Sequence, residues 1–476
     1  MQTAQNELIT RIGPGTPCGE LMRRYWQPVA LLDEFNPRFD PRMKQRPLKA
    51  VRLLGQDLVL FRQGAVDAAT DLRDPTATWG LLDRDCPHRG ADLAFARHEG
   101  DGIRCPFHGW KFAPDGTCLE TPAEPAGSTL CQRVRQRSYP VKLQSGVLFA
   151  YLGPELEPGT ELPALPAFDC FAAPQSHSFA FKGQWACNWL QAFEVGIDPA
   201  HPSFLHRYLQ DDELDGSGQK EFGRQFRAAS AGAVDGERWP MTRVMREFCS
   251  PEIHHREVGP GLTRLTTLRM ISDALTHVRV THAAFPHTFV IPLSETVTIT
   301  QMHVPIDDTH THWFSFFTSF DAPLDHETMR RQRLAGAVLP DYLPKRGRHD
   351  DWGYDPVEQR TRTFLGMGEE DINVHDQWAC ESMGPIQNRT REHLGSSDKV
   401  IMANRRMLLA AIETVRQGGK PPMVLTAADA AALHGPDTMD CIVPASDWQA
   451  HWQQRAAAKR AGAAWLHARA SADLPA

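Results

Sequence analysis

The sequence predicts an α+β protein in which a small all-β domain precedes a larger domain built from an antiparallel sheet and helices. Residues 48–152 consist of short β-rich runs separated by turn residues, as in VRLLGQDLVLFR and GVLFAYLG. Residues 260–320 alternate between apolar and polar side chains, which predicts a large antiparallel sheet with one covered face. Residues 369–417 return to helical spacing, most clearly in ANRRMLLAAIETVRQ.

Four segments follow from these patterns along the 476 residues, a length that calls for more than one core. An N-terminal helix and loop is predicted for residues 1–45, where GELMRRYWQPVALL has helical spacing. The all-β domain is predicted for 46–155, and the proline-rich, acidic stretch GPELEPGTELPALPAF marks its end. The larger domain is predicted for 156–418. The alanine-rich remainder, 419–476, is expected to be a peripheral helical extension.

The composition argues against several classes of protein. A net charge of −7 without a basic block disfavours a nucleic-acid partner. No apolar run approaches the roughly 18 residues of a membrane span, and the N-terminus lacks the basic and apolar regions of a secretory signal. Apart from Cys86 and Cys105, the ten cysteines are scattered, as expected for reduced thiols in the cytoplasm.

Cys86 and Cys105 each begin a Cys-His loop, in CPHRG with His88 and in CPFHGW with His108. Two thiolates and two imidazoles at this spacing can hold a tetrahedral zinc ion. They can also hold a Rieske [2Fe–2S] cluster, in which cysteines bind one iron and histidines the other. The cluster is favoured because two matching loops can enclose a flat cluster, and because glycine after each histidine lets backbone N–H groups approach its sulfurs. Trp110 would shield the cluster edge.

A second pair of histidines lies in the stretch NWLQAFEVGIDPAHPSFLHRYL. His201 and His206 would be roughly 140° apart on an ideal helix, so a regular helix would not bring them together. Pro202 is expected to break the helix and let both rings reach one metal. Iron that activates O₂ commonly has two histidine ligands, one carboxylate ligand and open positions. The alternative is that these are two ordinary histidines beside a proline kink.

The segment CPHRGADLAFARHEGDGIRCPFHGWKFAPDG resembles the cluster-binding segment of the Rieske non-haem iron oxygenases. NWLQAFEVGIDPAHPSFLH is similar to the corresponding stretch of the phthalate dioxygenase type, and the resemblance extends from about Pro14 to Val415. It implies that His201 and His206 bind a mononuclear Fe(II). It also implies that two cysteines and two histidines hold the cluster: Cys86, His88, Cys105 and His108.

By the same resemblance, Asp376 is the third iron ligand, five residues before Glu381 on one helix. The other carboxylates nearby in the sequence are Glu369, Glu370 and Asp371. Asp198 corresponds to the acidic residue that hydrogen-bonds a ligand histidine and links it to a cluster histidine of the neighbouring subunit. Glu194 stands where many relatives have asparagine, and we assign it no catalytic role.

The resemblance implies a Rieske domain of three small antiparallel sheets and a catalytic domain with a curved antiparallel sheet and helices, of the helix-grip type. It also implies a head-to-tail homo-trimer, or a dimer of trimers, in which each cluster passes electrons to the neighbouring iron. A separate flavin and iron–sulfur reductase would oxidise the nicotinamide, since no G-x-G-x-x-G unit follows a predicted strand here.

The implied activity is oxygenation of a small aromatic, carboxylated compound, with O₂ as co-substrate. Ring dihydroxylation is the first hypothesis for the reaction. Oxidative O- or N-demethylation of a methoxylated aromatic or a methylamine is the alternative. Three arginines of the strand-rich region are candidates for binding a substrate carboxylate: Arg243, Arg246 and Arg269. A Rieske ferredoxin, which needs only about 100 residues, and a zinc-binding interaction protein are the rival classes.

Overall fold

The computed structural model describes residues 1–67, 69–154, 159–211, 229–369 and 371–466. Its helices are α1 (Thr3–Thr10), α2 (Pro17–Met22), α3 (Leu130–Arg133), α4 (Asp169–Ala172), α5 (Trp189–Ile197), α6 (Met241–Glu247), α7 (His326–Ala335), α8 (Pro356–Thr361), α9 (Ile372–Ser382), α10 (Lys399–Arg416), α11 (Ala427–Ala432) and α12 (Trp448–Gly462). Among the described residues, no helix has both the length and the apolar character required to span a membrane.

The first ten strands are β1 (Trp26–Leu31), β2 (Leu48–Leu53), β3 (Gln56–Arg62), β4 (Trp79–Asp83), β5 (Arg97–Glu99), β6 (Gly102–Arg104), β7 (Lys111–Phe112), β8 (Cys118–Glu120), β9 (Val141–Gln144) and β10 (Val147–Tyr151). The others are β11 (Ser178–Trp185), β12 (Ser230–Val234), β13 (Glu237–Pro240), β14 (Glu252–Gly259), β15 (Leu262–Met270), β16 (Leu275–Ala284), β17 (Thr288–Pro292), β18 (Val297–Asp307), β19 (His310–Ser319), β20 (Ala337–Val338), β21 (Leu343–Pro344) and β22 (Met439–Pro444).

The chain forms two compact units, of which one contains residues 12–163 and 304–307. It has three small antiparallel sheets with strand orders β1-β10-β9, β2-β3-β4 and β5-β6-β7-β8, as the resemblance implied. The turn between β2 and β3 is made by Leu54 and Gly55, both with positive φ. Buried apolar residues around Val59 and Phe61 form a core that includes Cys86 and Cys105.

The N-terminal segment differs from its predicted helical pattern. α2 begins at Pro17, where the Thr16 side chain accepts a hydrogen bond from the Gly19 N–H, and ends at Met22. The following residues instead form β1, which is buried throughout and pairs with β10. Pro28 is tolerated there because β1 is the edge strand of its sheet and its register shifts just after the proline. The helical prediction is therefore wrong for the second half of GELMRRYWQPVALL.

The other unit contains residues 1–11, 164–303 and 308–476, and its main feature is an eight-stranded antiparallel sheet. The strand order is β11-β19-β18-β17-β16-β15-β14, with β22 beside β16, which confirms the sheet predicted from alternation. One face packs against α12 through Val278, Cys441 and Trp452. The opposite face carries Phe289, and α5 approaches it closely because Gly196 has no side chain: a Cβ there would lie 2.0 Å from the Phe289 ring.

The tail after residue 418 is not a purely peripheral helical addition. Residues 439–444 form β22, which pairs in antiparallel register with β16 from Leu275 to Val280. Asp440 of β22 is buried and accepts hydrogen bonds from His277 Nε2 (2.8 Å) and Arg279 Nη1 (2.6 Å). α11 and α12 agree with the helical prediction, whereas β22 corrects it. The alanine-rich composition hid a six-residue strand, and residues 155–158 and 467–476 lie outside the described part of the chain.

Candidate cluster site and metal centre

The two Cys-His loops have the same backbone hydrogen-bond pattern. The Cys86 N–H donates to the Ala91 carbonyl (2.8 Å), and the Gly90 N–H donates to the Cys86 carbonyl (2.8 Å). The second loop repeats this, with Cys105 N–H to Trp110 O (2.8 Å) and Gly109 N–H to Cys105 O (3.0 Å). Gly90 and Gly109 both have positive φ, of 74° and 76°. The sequence therefore builds two matched turns that present a cysteine and a histidine each.

These loops bring their four candidate side chains together. Cys86 and Cys105 are both buried and belong to the same core. The rings of His88 and His108 have centroids 4.5 Å apart, and Trp110 stacks on His88 at 4.3 Å. Burial raises the pKa of Cys86 to about 11, so the protein alone does not stabilise a thiolate there. A bound metal group supplies the positive charge that thiolate ligation needs, and the set fits a cluster with two cysteine and two histidine ligands.

The second histidine pair lies just beyond the end of α5. Asn188 caps α5 by accepting a hydrogen bond from the Leu190 N–H, and the helix ends at Ile197. A short 3₁₀ turn then begins at His201, so the interruption predicted from the prolines is confirmed. Because no helix continues through this segment, the wide helical angle between His201 and His206 does not apply. Their rings have centroids 5.2 Å apart.

Hydrogen bonds at Nδ1 determine the tautomer of each histidine. His201 Nδ1 lies 2.6 Å from the Asp198 carbonyl oxygen, which can only accept, so Nδ1 carries the proton. His206 Nδ1 lies 3.3 Å from His375 Nδ1, and His375 Nε2 lies 2.8 Å from the Gly368 carbonyl. His375 therefore donates through Nε2 and accepts at Nδ1 from His206. Both His201 and His206 are left with an unprotonated Nε2, the form that binds metal ions.

The unprotonated Nε2 atoms of both histidines approach one carboxylate. Asp376, on α9, has its Oδ1 atom 3.2 Å from His206 Nε2 and 3.8 Å from His201 Nε2. Ligand atoms of these three residues all lie within 4.8 Å of one another. Burial acts to raise the pKa of Asp376, but attraction to His206 and His201 in their protonated forms outweighs it and holds this pKa below its usual value. Burial lowers the pKa of His201, which favours its neutral form.

The three atoms form a site that fits a divalent metal ion. Asp376 Oδ1 is buried without a hydrogen-bond donor among the described residues, although two unprotonated nitrogens face it. Three lone-pair donors facing one another repel unless a cation lies between them. Two neutral imidazoles and one carboxylate form the set used by non-haem Fe(II) centres that activate O₂. The residues present therefore fit the mononuclear iron.

The carboxylates that competed with Asp376 in the sequence have other partners. Glu381 accepts hydrogen bonds from the Ala186 N–H (2.9 Å) and Trp352 Nε1 (2.9 Å). Asp371 caps the start of α9, and Glu369 forms an ion pair with an arginine. Glu370 lies outside the described residues. Sequence reasoning missed His375, although it directly precedes Asp376.

The backbone carbonyl of Asp198 contacts the ring of His201. Its Oδ1 atom accepts hydrogen bonds from the N–H groups of Ala200 (2.8 Å) and His201 (3.3 Å), so this oxygen caps the turn. Asp198 follows α5 in an extended conformation (φ −82°, ψ 110°), so it does not share a helix with His201. Glu194 is buried in ion pairs with Arg389 (3.1 Å) and Arg405 (2.5 Å), which indicates a structural role.

Comparison with known families decides the identity of the fold. Residues 26–140 match the Rieske [2Fe-2S] domain family. Residues 150–464, more than half of the chain, match the family described as LigXa C-terminal domain like. The chain belongs to the Rieske non-haem iron oxygenases. Members of this family use a Rieske [2Fe–2S] cluster, a mononuclear iron and O₂, which decides between the cluster and the zinc alternative.

Several curated relatives match this Rieske oxygenase over most of their length. The phthalate 4,5-dioxygenase oxygenase subunit of Pseudomonas putida is 32% identical and covers 87% of both chains. The 3-chlorobenzoate-3,4-dioxygenase oxygenase subunit of Comamonas testosteroni is 29% identical, covering 95% of this chain and 98% of the relative. The 5,5'-dehydrodivanillate O-demethylase oxygenase subunit of Sphingobium is 27% identical, covering 89% and 84%. Such components work with a separate reductase and form multimers.

The solved structures agree at the level of the fold. Pseudomonas putida CBB5 NdmB superposes with a TM-score of 0.53 at 16% identity, covering 88% of this chain and 97% of that one. At this identity the likeness establishes a shared architecture of a small β domain and a sheet-and-helix domain, and nothing about the substrate.

A concavity of about 950 Å³ opens beside the candidate iron site, and Asp198 and His201 are part of its wall. The wall is rich in aromatic side chains, namely Phe204, Trp352, Tyr354, Phe364 and Trp378. His206 and Asp376 are not among its lining residues. The concavity therefore reaches the site from the Asp198 and His201 side.

The three arginines proposed to bind a substrate carboxylate are engaged elsewhere. Arg243 and Arg246 lie on α6 rather than on a strand. Arg243 pairs with Glu247 (3.0 Å), and Arg246 pairs with Asp211 (2.7 Å). Arg269 lies on β15, is 1% exposed and donates a hydrogen bond to a backbone carbonyl. Their charges and hydrogen-bond donors are thus already used by the protein.

Proposed function

We propose that this chain is the oxygenase component that dihydroxylates the ring of a small aromatic carboxylate, using O₂ and electrons from a reductase. The observation that carries the proposal is the convergence of His201, His206 and Asp376, with both Nε2 atoms unprotonated. The names of the relatives that act on phthalate and 3-chlorobenzoate support an aromatic carboxylate. The scattered cysteines support the cytoplasm as its location.

The proposed ligands are those that the resemblance implied. The cluster is held by Cys86, His88, Cys105 and His108. The iron is held by His201, His206 and Asp376. When bound, the two groups supply one-electron transfer and O₂ activation. The chain itself contributes fixed imidazole tautomers, an ionised carboxylate and a buried site. The proposed limits of the cluster domain and the catalytic domain are 46–155 and 156–418.

The proposed assembly is a head-to-tail trimer, alone or as a dimer of trimers. Phe107 lies between two proposed cluster ligands and is 55% exposed, which is typical of an apolar side chain that a partner covers. The aromatic concavity beside Asp198 offers a surface of matching character. In this arrangement the cluster loops of one subunit enter the concavity of the next, and Asp198 lies between the cluster and the iron.

Labelled oxygen tests the reaction. Purified protein loaded with Fe²⁺ would receive NADH, a flavin and iron–sulfur reductase, ¹⁸O₂ and a panel of phthalate, 3-chlorobenzoate and 3-methoxybenzoate. We expect a visible-absorbing Rieske centre and a diol that carries both ¹⁸O atoms. Stoichiometric zinc without visible absorption, or no oxygen incorporation from any acid, would overturn the proposal.

Oxidative demethylation is the second candidate, because the dehydrodivanillate O-demethylase subunit is also a full-length relative. The same experiment separates the two reactions, since demethylation of 3-methoxybenzoate releases formaldehyde and leaves a phenol. Formaldehyde without a diol from any acid would replace dihydroxylation by demethylation.

A further inference from the structure

A short hydrogen-bonded chain lies on the sheet face that packs against α5. The Ser315 hydroxyl on β19 donates to Gln301 Oε1 on β18 (2.7 Å). Gln301 Nε2 in turn lies 3.2 Å from His303 Nε2. An amide nitrogen only donates, so His303 Nε2 accepts and the proton of the neutral ring lies on Nδ1. Burial lowers the pKa of His303 to about 3, so the ring is neutral near pH 7.

The Nδ1 atom of His303 has no hydrogen-bond partner within the described part of the chain, and the residue is 0% exposed. Three aromatic rings surround the imidazole, those of Trp185 (5.6 Å between centroids), Phe193 (6.3 Å) and Phe289 (5.5 Å). Buried N–H groups in native proteins nearly always have an acceptor. A buried, fixed donor among aromatic rings is therefore suited to a ligand that has an aromatic ring and an oxygen.

His303 is also close to the candidate iron site. Trp185 directly precedes Ala186, whose N–H donates a hydrogen bond to Glu381 on α9 (2.9 Å). Asp376 lies on the same helix. Phe193, one of the surrounding rings, lies on α5, which leads directly into the segment that holds His201 and His206. A ligand bound at His303 would thus lie beside the metal centre. Since Arg243, Arg246 and Arg269 have other partners, His303 is better placed than they are to donate a hydrogen bond to a substrate carboxylate.

We propose that His303 is a substrate-binding residue whose Nδ1–H donates to an oxygen acceptor on the substrate's aromatic ring, a carboxylate above all. The aromatic ring packs among Trp185, Phe193 and Phe289, and the hydrogen bond orients it toward the metal. A carboxylate is favoured because a hydrogen bond to an ionised acceptor is stronger than one to a neutral acceptor. This inference rests on the proposed function and names the contact that selects the substrate.

Two substitutions separate the hydrogen bond from packing. His303→Asn keeps an N–H donor near the position of Nδ1, whereas His303→Leu removes it. The probes are phthalate, 3-chlorobenzoate and 3-phenoxybenzoate, with 3-chlorotoluene as the counterpart that has no acceptor. Dissociation constants would be measured by calorimetry on the Fe²⁺-loaded, oxygen-free full chain. His255→Leu is the control, because His255 is an exposed residue of β14 in the same sheet.

We expect His303→Leu to raise the dissociation constant of the tightest-binding acid by about 10- to 100-fold. His303→Asn should stay within about threefold, and 3-chlorotoluene should bind all variants alike. Under turnover KM should rise more than kcat falls. Equal acid binding by His303→Leu and the wild type, or no acid binding by the wild type, overturns the inference. Because the binding assay needs no turnover, a chain that binds acids through His303 without oxygenating them would contradict only the proposed function.

Discussion

At the scale of single residues, the candidate iron site depends on which nitrogen of each histidine carries the proton. The Asp198 carbonyl accepts a hydrogen bond from His201 Nδ1, and His375 accepts one from His206 Nδ1. The Nε2 lone pairs of His201 and His206 are therefore directed at Asp376. Such outer contacts orient metal ligands and raise their basicity. The hydrogen bonds around the ligands are therefore as testable as the ligands themselves.

Removing a proposed iron ligand should separate the two metal sites. We expect His206→Ala, His201→Ala or Asp376→Ala to lose the mononuclear iron and at least about 100-fold in product formation. The visible spectrum of the cluster should remain, because the two sites share no proposed ligand. Iron content by elemental analysis and the spectrum check this, and wild-type oxygenation by any of the three variants would contradict the assignment.

His375 should control iron affinity without being a ligand. His375→Phe keeps much of the ring volume but removes the acceptor for His206 Nδ1–H, so His206 can adopt the wrong tautomer. We expect the dissociation constant of Fe²⁺ to rise about 10- to 100-fold, measured by competition with a chelator.

His375→Asn serves as the matched comparison, because its amide oxygen can take the place of the Nδ1 acceptor. Its Fe²⁺ affinity should recover partly. Equal weakening in both variants would indicate a packing role for His375 instead of control over the His206 tautomer.

Asp198→Asn should distinguish capping from electron transfer. Asparagine can accept the same two backbone hydrogen bonds at Oδ1, so the turn should persist with both metal centres. We expect product formation to fall by about 100-fold or more, because the charge between cluster and iron is lost. Single-turnover stopped-flow measures cluster reoxidation after addition of substrate and O₂, and a wild-type rate would leave Asp198 only its capping role.

At the scale of elements, the end of α5 and the start of α9 together create the site. α5 packs on the sheet and stops at Ile197, so the following turn is free to bring both histidines inward. α9, which comes much later in the chain, is capped by Asp371 and carries His375 and Asp376. A continuous helix through His201 would direct the two rings apart.

The tail strand β22 should contribute to the stability of the sheet through Asp440. The charges of His277 and Arg279 outweigh burial and lower the pKa of this carboxyl to about 2. Against an unfolded pKa of about 3.9, the ion pairs stabilise the fold by roughly 3 kcal/mol above pH 4, and this is lost as the pH falls toward 2. Asp440→Ala should lose about 3–5 kcal/mol at pH 7, because Arg279 loses its counter-charge and the buried His277 N–H loses its acceptor.

Urea unfolding between pH 2 and 7 measures both effects. Asp273→Ala, at an exposed turn of the same sheet, is the matched control and should unfold like the wild type. A pH profile of Asp440→Ala with the same acid slope as the wild type would show that Asp440 is not the titrating group.

At the scale of the whole molecule, the proposed trimer makes Phe107 an interface residue. We expect sedimentation to give three times the 53.3 kDa chain mass, or a multiple of it. Phe107→Asp should weaken the assembly and activity by about tenfold or more while the cluster spectrum remains, since burying an unpaired charge is costly. Val258→Asp, an exposed apolar position on β14, should change neither. A fully active monomer would contradict electron transfer between subunits.

Three features could be predicted from the sequence: the two-part α+β architecture, the large antiparallel sheet and the pair of Cys-His loops. These were accessible because their signals are local: strand alternation has a period of two, and each Cys-His loop needs only its own turn and glycine. The family resemblance, rather than any periodicity, selected Asp376 from five nearby carboxylates. Local reasoning failed at Trp26–Leu31 and at β22, where short apolar runs become strands only because a partner strand accepts them.

The contacts between groups far apart in the sequence could not be predicted and are seen in the folded chain. Asp376 and His375 follow His206 by about 170 residues, and no local pattern places them at 3.2 Å and 3.3 Å from its ring. The partners of Arg243, Arg246 and Arg269 likewise depend on the fold. So does the His303 Nδ1 atom, which has no partner among the residues that the structure describes. Hydrogen bonds and ion pairs act over a few ångströms in space, whatever the separation of the two groups along the chain, so a local pattern does not reveal them.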